Sequence, residues 1–124
     1  MPLVIFVDDS ETALASTRMV TDTMPIDVKQ FNNAPDALAD LKSGVTPDLI
    51  ITDLNMPVMN GFEFLQELRK LDALKRTPVL MLTTETKPEL KQQGKALGLT
   101  GWIVKPFNPA QLKQAIGRVL RLPV

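Results

Sequence analysis

Apolar residues in this chain fall into short unbroken runs, and helix-spaced patterns separate them. Leu3-Val4-Ile5-Phe6-Val7, Leu49-Ile50-Ile51, Val79-Leu80-Met81-Leu82 and Trp102-Ile103-Val104 are continuous runs. Runs of this length, bounded by Pro, Gly and Asp, read as buried parallel strands. A weaker strand covers about Asp27 to Phe31. Between them, Ser10 caps a helix over about Glu11 to Thr23 whose apolar positions are Leu14, Met19 and Val20, and Pro25 stops it. A short helix from about Pro35 to Lys42 puts Ala37, Leu38 and Leu41 on one face and ends at Gly44. The third strand spans about Asp48 to Thr52. A loop follows over 55–61, marked by its Pro and Asn-Gly content. Phe64, Leu65, Leu68 and Leu71 then give helical spacing. Pro78 opens strand four, Pro88 sits in the first turn of a fourth helix, and Gly98 terminates it. Strand five covers about Gly101 to Val104. The last helix is the clearest, with Leu112, Ala115, Ile116, Val119 and Leu120 at i, i+3, i+4, i+7 and i+8. Five strands in strict alternation with five helices predict a single doubly wound α/β domain, a parallel sheet covered on both faces.

The strand ends carry the chemistry. Asp8-Asp9 follow the first run, Asp53 the third, Thr83-Thr84 end the fourth and Lys105-Pro106 follow the fifth. In an open parallel sheet the carboxyl ends of the strands share one edge, where sites are built. Three carboxylates, a hydroxyl and an ammonium are therefore expected together, a set suited to a divalent cation and a phosphoryl group. Composition narrows this further. The chain has no Cys and no His, which excludes disulfides, thiolate or histidine catalysis and Cys- or His-ligated zinc. Oxygen ligands favour a hard ion such as Mg²⁺ or Ca²⁺. The 14 basic residues balance 14 acidic ones, so no global charge draws the chain to nucleic acid or an anionic membrane. No apolar run approaches the ~20 residues that cross a bilayer, and the start lacks the basic segment of a signal peptide. The expectation is a cytoplasmic chain.

Asp8-Asp9, Asp53, Met56-Pro57-x-x-Asn60-Gly61, Thr83 and Lys105-Pro106-Phe107, in this order and spacing, resemble the receiver domains of two-component response regulators. The match spans essentially the whole chain, 1–124, with no room for an output domain. Thr83-Thr84-Glu85 and Gly101 to Phe107 narrow the resemblance to the stand-alone chemotaxis regulators of the CheY type. The resemblance implies a flavodoxin-like sheet with strand order 2-1-3-4-5. It implies that Asp53 accepts a phosphoryl group from a sensor histidine kinase of the chemotaxis type. Mg²⁺ would be held by Asp8, Asp9, Asp53 and the Asn55 backbone carbonyl. Lys105 would pair with Asp53 and then the phosphoryl group, aimed by a cis peptide at Pro106. Thr83 would be the switch hydroxyl, drawing the next loop inward so that Trp102 rotates in. That position usually carries Tyr or Phe, and this chain has no Tyr.

Two further expectations come with the resemblance. Asn55 and Glu85 flank the path of the attacking water and would give a short-lived acyl phosphate through intrinsic dephosphorylation, aided by a phosphatase. Lys87, Lys91 and Lys95 form a basic stripe on helix four beside Trp102, facing an acidic segment of a flagellar motor switch protein. A charge stripe of this kind is also compatible with simple solvation. The alternative role is a phosphate sink or phosphorelay intermediate. A phosphohydrolase needs a second acid/base aspartate where Asn55 stands, and no Gly-rich loop after strand one suits a flavin or dinucleotide. The chain thus reads as a switch and not an enzyme.

Overall fold

The computed structural model describes residues 1–123. Its elements run β1 (Leu3–Val7), α1 (Glu11–Thr21), β2 (Asp27–Phe31), α2 (Ala34–Lys42), β3 (Leu49–Thr52), α3 (Gly61–Arg69), β4 (Val79–Thr83), α4 (Pro88–Ala96), β5 (Gly101–Val104) and α5 (Pro109–Leu120). All pairings are parallel and the sheet order is β2-β1-β3-β4-β5. This is the expected doubly wound fold. Alternation of side chains along each strand divides the core. Val4, Phe6, Leu49, Ile51, Leu80, Leu82 and Ile103 pack with Leu112 and Ile116 of α5 and Leu14 of α1. Ile5, Val7, Ile50 and Val79 pack with α2 and α3 through Leu38, Leu41, Phe64, Leu65 and Leu68. Helix α4 rests on a third, smaller patch formed by Leu54, Phe62 and Met81.

Three expectations need correction. Helix α1 ends at Thr21, with Asp22 as its C-cap, and Met19 is 76% exposed. Thr17 and Thr21 take the inner face instead. Their hydroxyls bond the Leu14 and Arg18 carbonyls, at 2.9 and 3.2 Å, and so hide the polar atom and offer a methyl to the core. Strand β3 begins at Leu49; Asp48 turns its carboxylate to the Leu3 N–H at 2.8 Å, tying the entrances of β1 and β3. Helix α3 stops at Arg69, and Leu71 leads into one 3₁₀ turn over Asp72–Leu74. The Arg69 guanidinium staples the chain that folds back after the stop. It bonds the Leu74 and Thr77 carbonyls, both at 2.8 Å, and so satisfies acceptors of the folded-back chain.

The loop between β3 and α3 contains a backbone outlier. The Met59 N–H donates to the Pro57 carbonyl at 2.8 Å, a three-residue γ-turn with Val58 at its centre at φ 72°. Positive φ is costly for a β-branched side chain, and Val58 recovers nothing by burial, being 91% exposed. Val58→Gly, which has no Cβ to strain at positive φ, is expected to raise unfolding stability by about 1 kcal/mol. Urea denaturation checks this; an unchanged midpoint would show that the turn carries no strain.

Candidate functional site

Ladder hydrogen bonds continue one residue beyond the strands and set the site side by side. The Asp8 N–H donates to the Phe31 carbonyl at 3.1 Å, Asp53 N–H to Val7 at 2.9 Å, and Lys105 N–H to Thr83 at 2.8 Å. The backbones of Asp8, Asp53 and Lys105 are therefore fixed by the sheet. Local bonds then aim two of the side chains. The Ser10 N–H donates to Asp8 Oδ1 at 3.0 Å, and the Leu54 N–H donates to Asp53 Oδ1 at 2.6 Å. Ser10 itself caps α1 through the Ala13 N–H, so one short turn both starts the helix and orients the acid.

The second oxygens converge on one cation. Lys105 Nζ lies 2.5 Å from Asp8 Oδ2 and 3.1 Å from Asp53 Oδ2. The Lys105–Pro106 peptide is cis, as expected. Asp8 is buried at 5% exposure, Asp53 is half-buried and Asp9 is exposed. Burial raises the Asp8 pKa above its ordinary 3.8, and the bonds from Lys105 and the Ser10 N–H only partly pull it back. Repulsion from Asp53 is the smallest contribution. Desolvation thus outweighs the mutual repulsion expected from sequence. For Lys105, burial pulls the pKa down, but the hydrogen bonds and charges of Asp8 and Asp53 outweigh it, and the net shift is upward from 10.5.

A raised lysine pKa has a definite stability consequence. The contribution is fully present below 10.5 and is lost as pH rises through the higher folded value. The wild type is therefore expected to lose more stability than Lys105→Met as pH rises above 10.5. Parallel declines in thermal midpoint would show that Lys105 gains nothing from its carboxylate partners.

Each of Asp8, Asp9 and Asp53 offers a carboxylate oxygen, and these atoms lie within 4.8 Å of one another. Mg²⁺ takes oxygen ligands at about 2.1 Å, and three carboxylates this close could share one such ion. The donor set is all hard oxygen, which fits a divalent cation of that class.

Residues 4–117 match the response regulator receiver domain. The chain belongs to the response regulator receiver family. Chemotaxis protein CheY-3 of Vibrio cholerae is 36% identical over 122 residues, covering 94% of this receiver and 89% of the relative. The solved structure of V. cholerae chemotaxis protein CheY4 superposes with a TM-score of 0.90 at 45% identity, covering 96% of this receiver and 98% of that chain. The sensor histidine kinase CheAY of Helicobacter pylori is 31% identical over 121 residues. This receiver spans 97% of its own length in that match but 15% of the kinase. A CheY-like receiver with a phosphoacceptor role is the coarse assignment these likenesses support.

Around the acid edge, the receiver brings together most of the remaining residues that its sequence singled out. Asn55 Nδ2 donates to Glu85 Oε2 at 3.1 Å, an exposed bond that ties the loop after β3 to the loop after β4. Thr83 is fully buried, and its Oγ1 accepts the Glu85 N–H at 3.4 Å. The Trp102 indole is half-buried, its Nε1–H donating to the Glu85 carbonyl at 3.0 Å, with the Phe62 ring 6.4 Å away and tilted by 47°. It is already folded toward the loop after β4. Lys87, Lys91 and Lys95 are exposed and form no ion pair among the described residues. Lys87 is the N-cap residue of α4 and makes no side-chain cap bond, so only Lys91 and Lys95 lie within the helix.

Gly61, the last residue of the Met56-Pro57-x-x-Asn60-Gly61 pattern, sits where no side chain fits. A Cβ there would lie 2.4 Å from the Asp53 carbonyl oxygen and 3.0 Å from Leu54 Cα. The Gly61 N–H also donates to the Leu54 carbonyl at 2.8 Å. The start of α3 thus presses directly on the backbone of Asp53. The Asn-Gly pair marks a turn in sequence, but this contact is tertiary and leaves no local signal.

Proposed function

We propose that the chain is a phosphorylation-controlled binding switch in which Asp53 is the phosphoacceptor. The convergence of Asp8, Asp53 and Lys105 at one sheet edge is the observation that carries this reading. One Asp53 carboxylate oxygen attacks phosphorus in line, the P–N bond of a donor phosphohistidine breaks, and the leaving imidazole nitrogen takes a proton. The product is an acyl phosphate on Asp53. Lys105, already bonded to Asp53, moves its ammonium onto a phosphoryl oxygen. Thr83 Oγ turns its hydroxyl toward the same group, which draws in the loop carrying Glu85. Asp8, Asp9 and Asp53, with the Asn55 backbone carbonyl, would hold Mg²⁺. Bound there, Mg²⁺ neutralises charge on the transferring group and offsets the ionisation of buried Asp8.

A sensor histidine kinase is the donor we infer, supported by the likeness to a segment of a protein named as one. The output partner we infer is a flagellar motor switch protein, supported by the chemotaxis relatives. The exposed Lys91 and Lys95 suit an acidic segment on that partner.

The test is intact-mass detection of phosphate after Mg²⁺ and a small phosphodonor, followed over time. A donor- and Mg²⁺-dependent mass gain that decays supports the switch, and no gain overturns it. Asn55→Lys and Glu85→Lys break the bond between the two loops, and each is expected to change the decay rate more than the extent of labelling. Equal decay in wild type and both variants would remove these residues from control of water access. Phosphate uptake without a gain in affinity for the motor protein would favour a sink or relay.

A further inference from the structure

Thr52 ends β3 and is fully buried, the one hydroxyl in a strand that otherwise reads Leu-Ile-Ile. Valine has nearly the same shape and suits a strand as well, so the hydroxyl calls for a reason. Once buried it must find an acceptor, and it donates to the Asp53 carbonyl at 2.9 Å. Among the described residues no other donor reaches that carbonyl. The start of α3 covers it, since a Cβ on Gly61 would lie 2.4 Å from the oxygen. The Asp53 carbonyl and the Leu54 N–H are the two ends of one planar peptide unit. That N–H donates to Asp53 Oδ1 at 2.6 Å. Hydroxyl, peptide and carboxylate therefore form a continuous line. A bond at the oxygen end of a rigid plate limits how its N–H end can turn. Polarisation acts in the same sense, because a bonded carbonyl makes its N–H a stronger donor. With Oδ1 held in this way, Oδ2 is the oxygen that faces Lys105, at 3.1 Å.

We propose that Thr52 is a positioning residue for phosphoryl transfer. Its hydroxyl acts through the Asp53–Leu54 peptide to hold Oδ1 and leave Oδ2 free to attack phosphorus. The consequence for transfer rests on the switch proposed above, but the relay itself belongs to the chain without phosphate. Removing the hydroxyl leaves the Asp53 carbonyl covered and without a donor. The peptide then gains freedom to turn, and the carboxylate turns with it. A misaimed nucleophile reacts more slowly even in a chain that is fully folded.

Two matched pairs isolate the hydroxyl in the full chain, wild type with Thr52→Val and Thr52→Ser with Thr52→Ala. The first readout is the Leu54 amide proton shift by NMR, without Mg²⁺ or donor. Loss of the hydroxyl is expected to move that amide upfield in both pairs. The Asp53 amide, bonded to the Val7 carbonyl, is expected to stay in place. An unmoved Leu54 amide overturns the relay. The second readout is the rate of phosphate uptake from acetyl phosphate at saturating Mg²⁺, followed by intact mass. Thr52→Val is expected to be slower by about tenfold, with Thr52→Ser close to wild type. A wild-type rate in Thr52→Val overturns the positioning role. Equal slowing in Thr52→Val and Thr52→Ser also overturns it, because the effect would then belong to packing. Denaturation midpoints are taken alongside, and a rate loss that simply tracks the midpoint across the variants reduces the bond to a structural one. Should Thr52→Val fail to fold, the Ser–Ala pair decides by the same criteria. Absence of phosphate in wild type would count against Asp53 as acceptor, while the Leu54 shift still decides the relay.

Discussion

Asp53→Asn is expected to abolish phosphate uptake from a small phosphodonor while leaving the fold intact. The amide keeps the shape of the carboxylate and can still accept the Leu54 N–H, which bonds Oδ1 at 2.6 Å. It cannot supply the anionic oxygen that attacks phosphorus. It also removes one of the two charges that hold Lys105, leaving the 2.5 Å contact with Asp8. Intact mass and Trp102 emission check both halves of the expectation. Uptake retained at another residue would move the acceptor away from Asp53, and a collapsed fold would mean that the Asp53–Lys105 pair is chiefly structural.

Gly61→Ala is expected to cost about 3 kcal/mol of stability and to weaken the response to Mg²⁺. Helix propensity alone points the other way, since alanine at the first turn of α3 favours the helix. The contact decides the sign. At 2.4 Å from the Asp53 carbonyl oxygen, the new Cβ meets backbone, which cannot rotate aside as a side chain can. Either α3 lifts from the sheet edge or the peptide after Asp53 moves. Both displace a carboxylate aimed at Lys105. Denaturant unfolding and a Mg²⁺ titration of Trp102 emission provide the readouts; a variant as stable and as responsive as wild type would show that the loop absorbs the methyl elsewhere.

Strands β1, β3 and β4 were the most legible because nearly all their residues are buried, which leaves unbroken apolar runs such as Leu3 to Val7. The acid edge followed from topology alone, since each of Asp8, Asp53 and Lys105 lies directly after such a run. The cis peptide at Pro106 and the strand order came with the family pattern. Helix α1 was less legible, because Thr17 and Thr21 pose as polar while burying methyls and bonding their own helix. Helix α4 has almost no apolar stripe to read, and its buried contact is a glycine. Gly61 and Val58 matter through backbone approach and backbone angle, and neither property is carried by hydrophobic pattern. The bond from Trp102 to the Glu85 carbonyl was hidden for a similar reason, as its acceptor is main chain and carries no residue identity.

The pair between Lys105 and Asp8 joins positions 97 residues apart. Such a contact closes nearly the full length of the chain, so the lysine reaches the acids only after β5 has joined the sheet. The acids themselves follow β1 and β3, which pair directly, so their cluster needs neither β5 nor the lysine. Mg²⁺ at a hundred times its dissociation constant would therefore add about 2.7 kcal/mol in favour of every form in which β1 and β3 are paired over the unfolded chain. Readiness to signal and resistance to proteolysis would rise together with the cation.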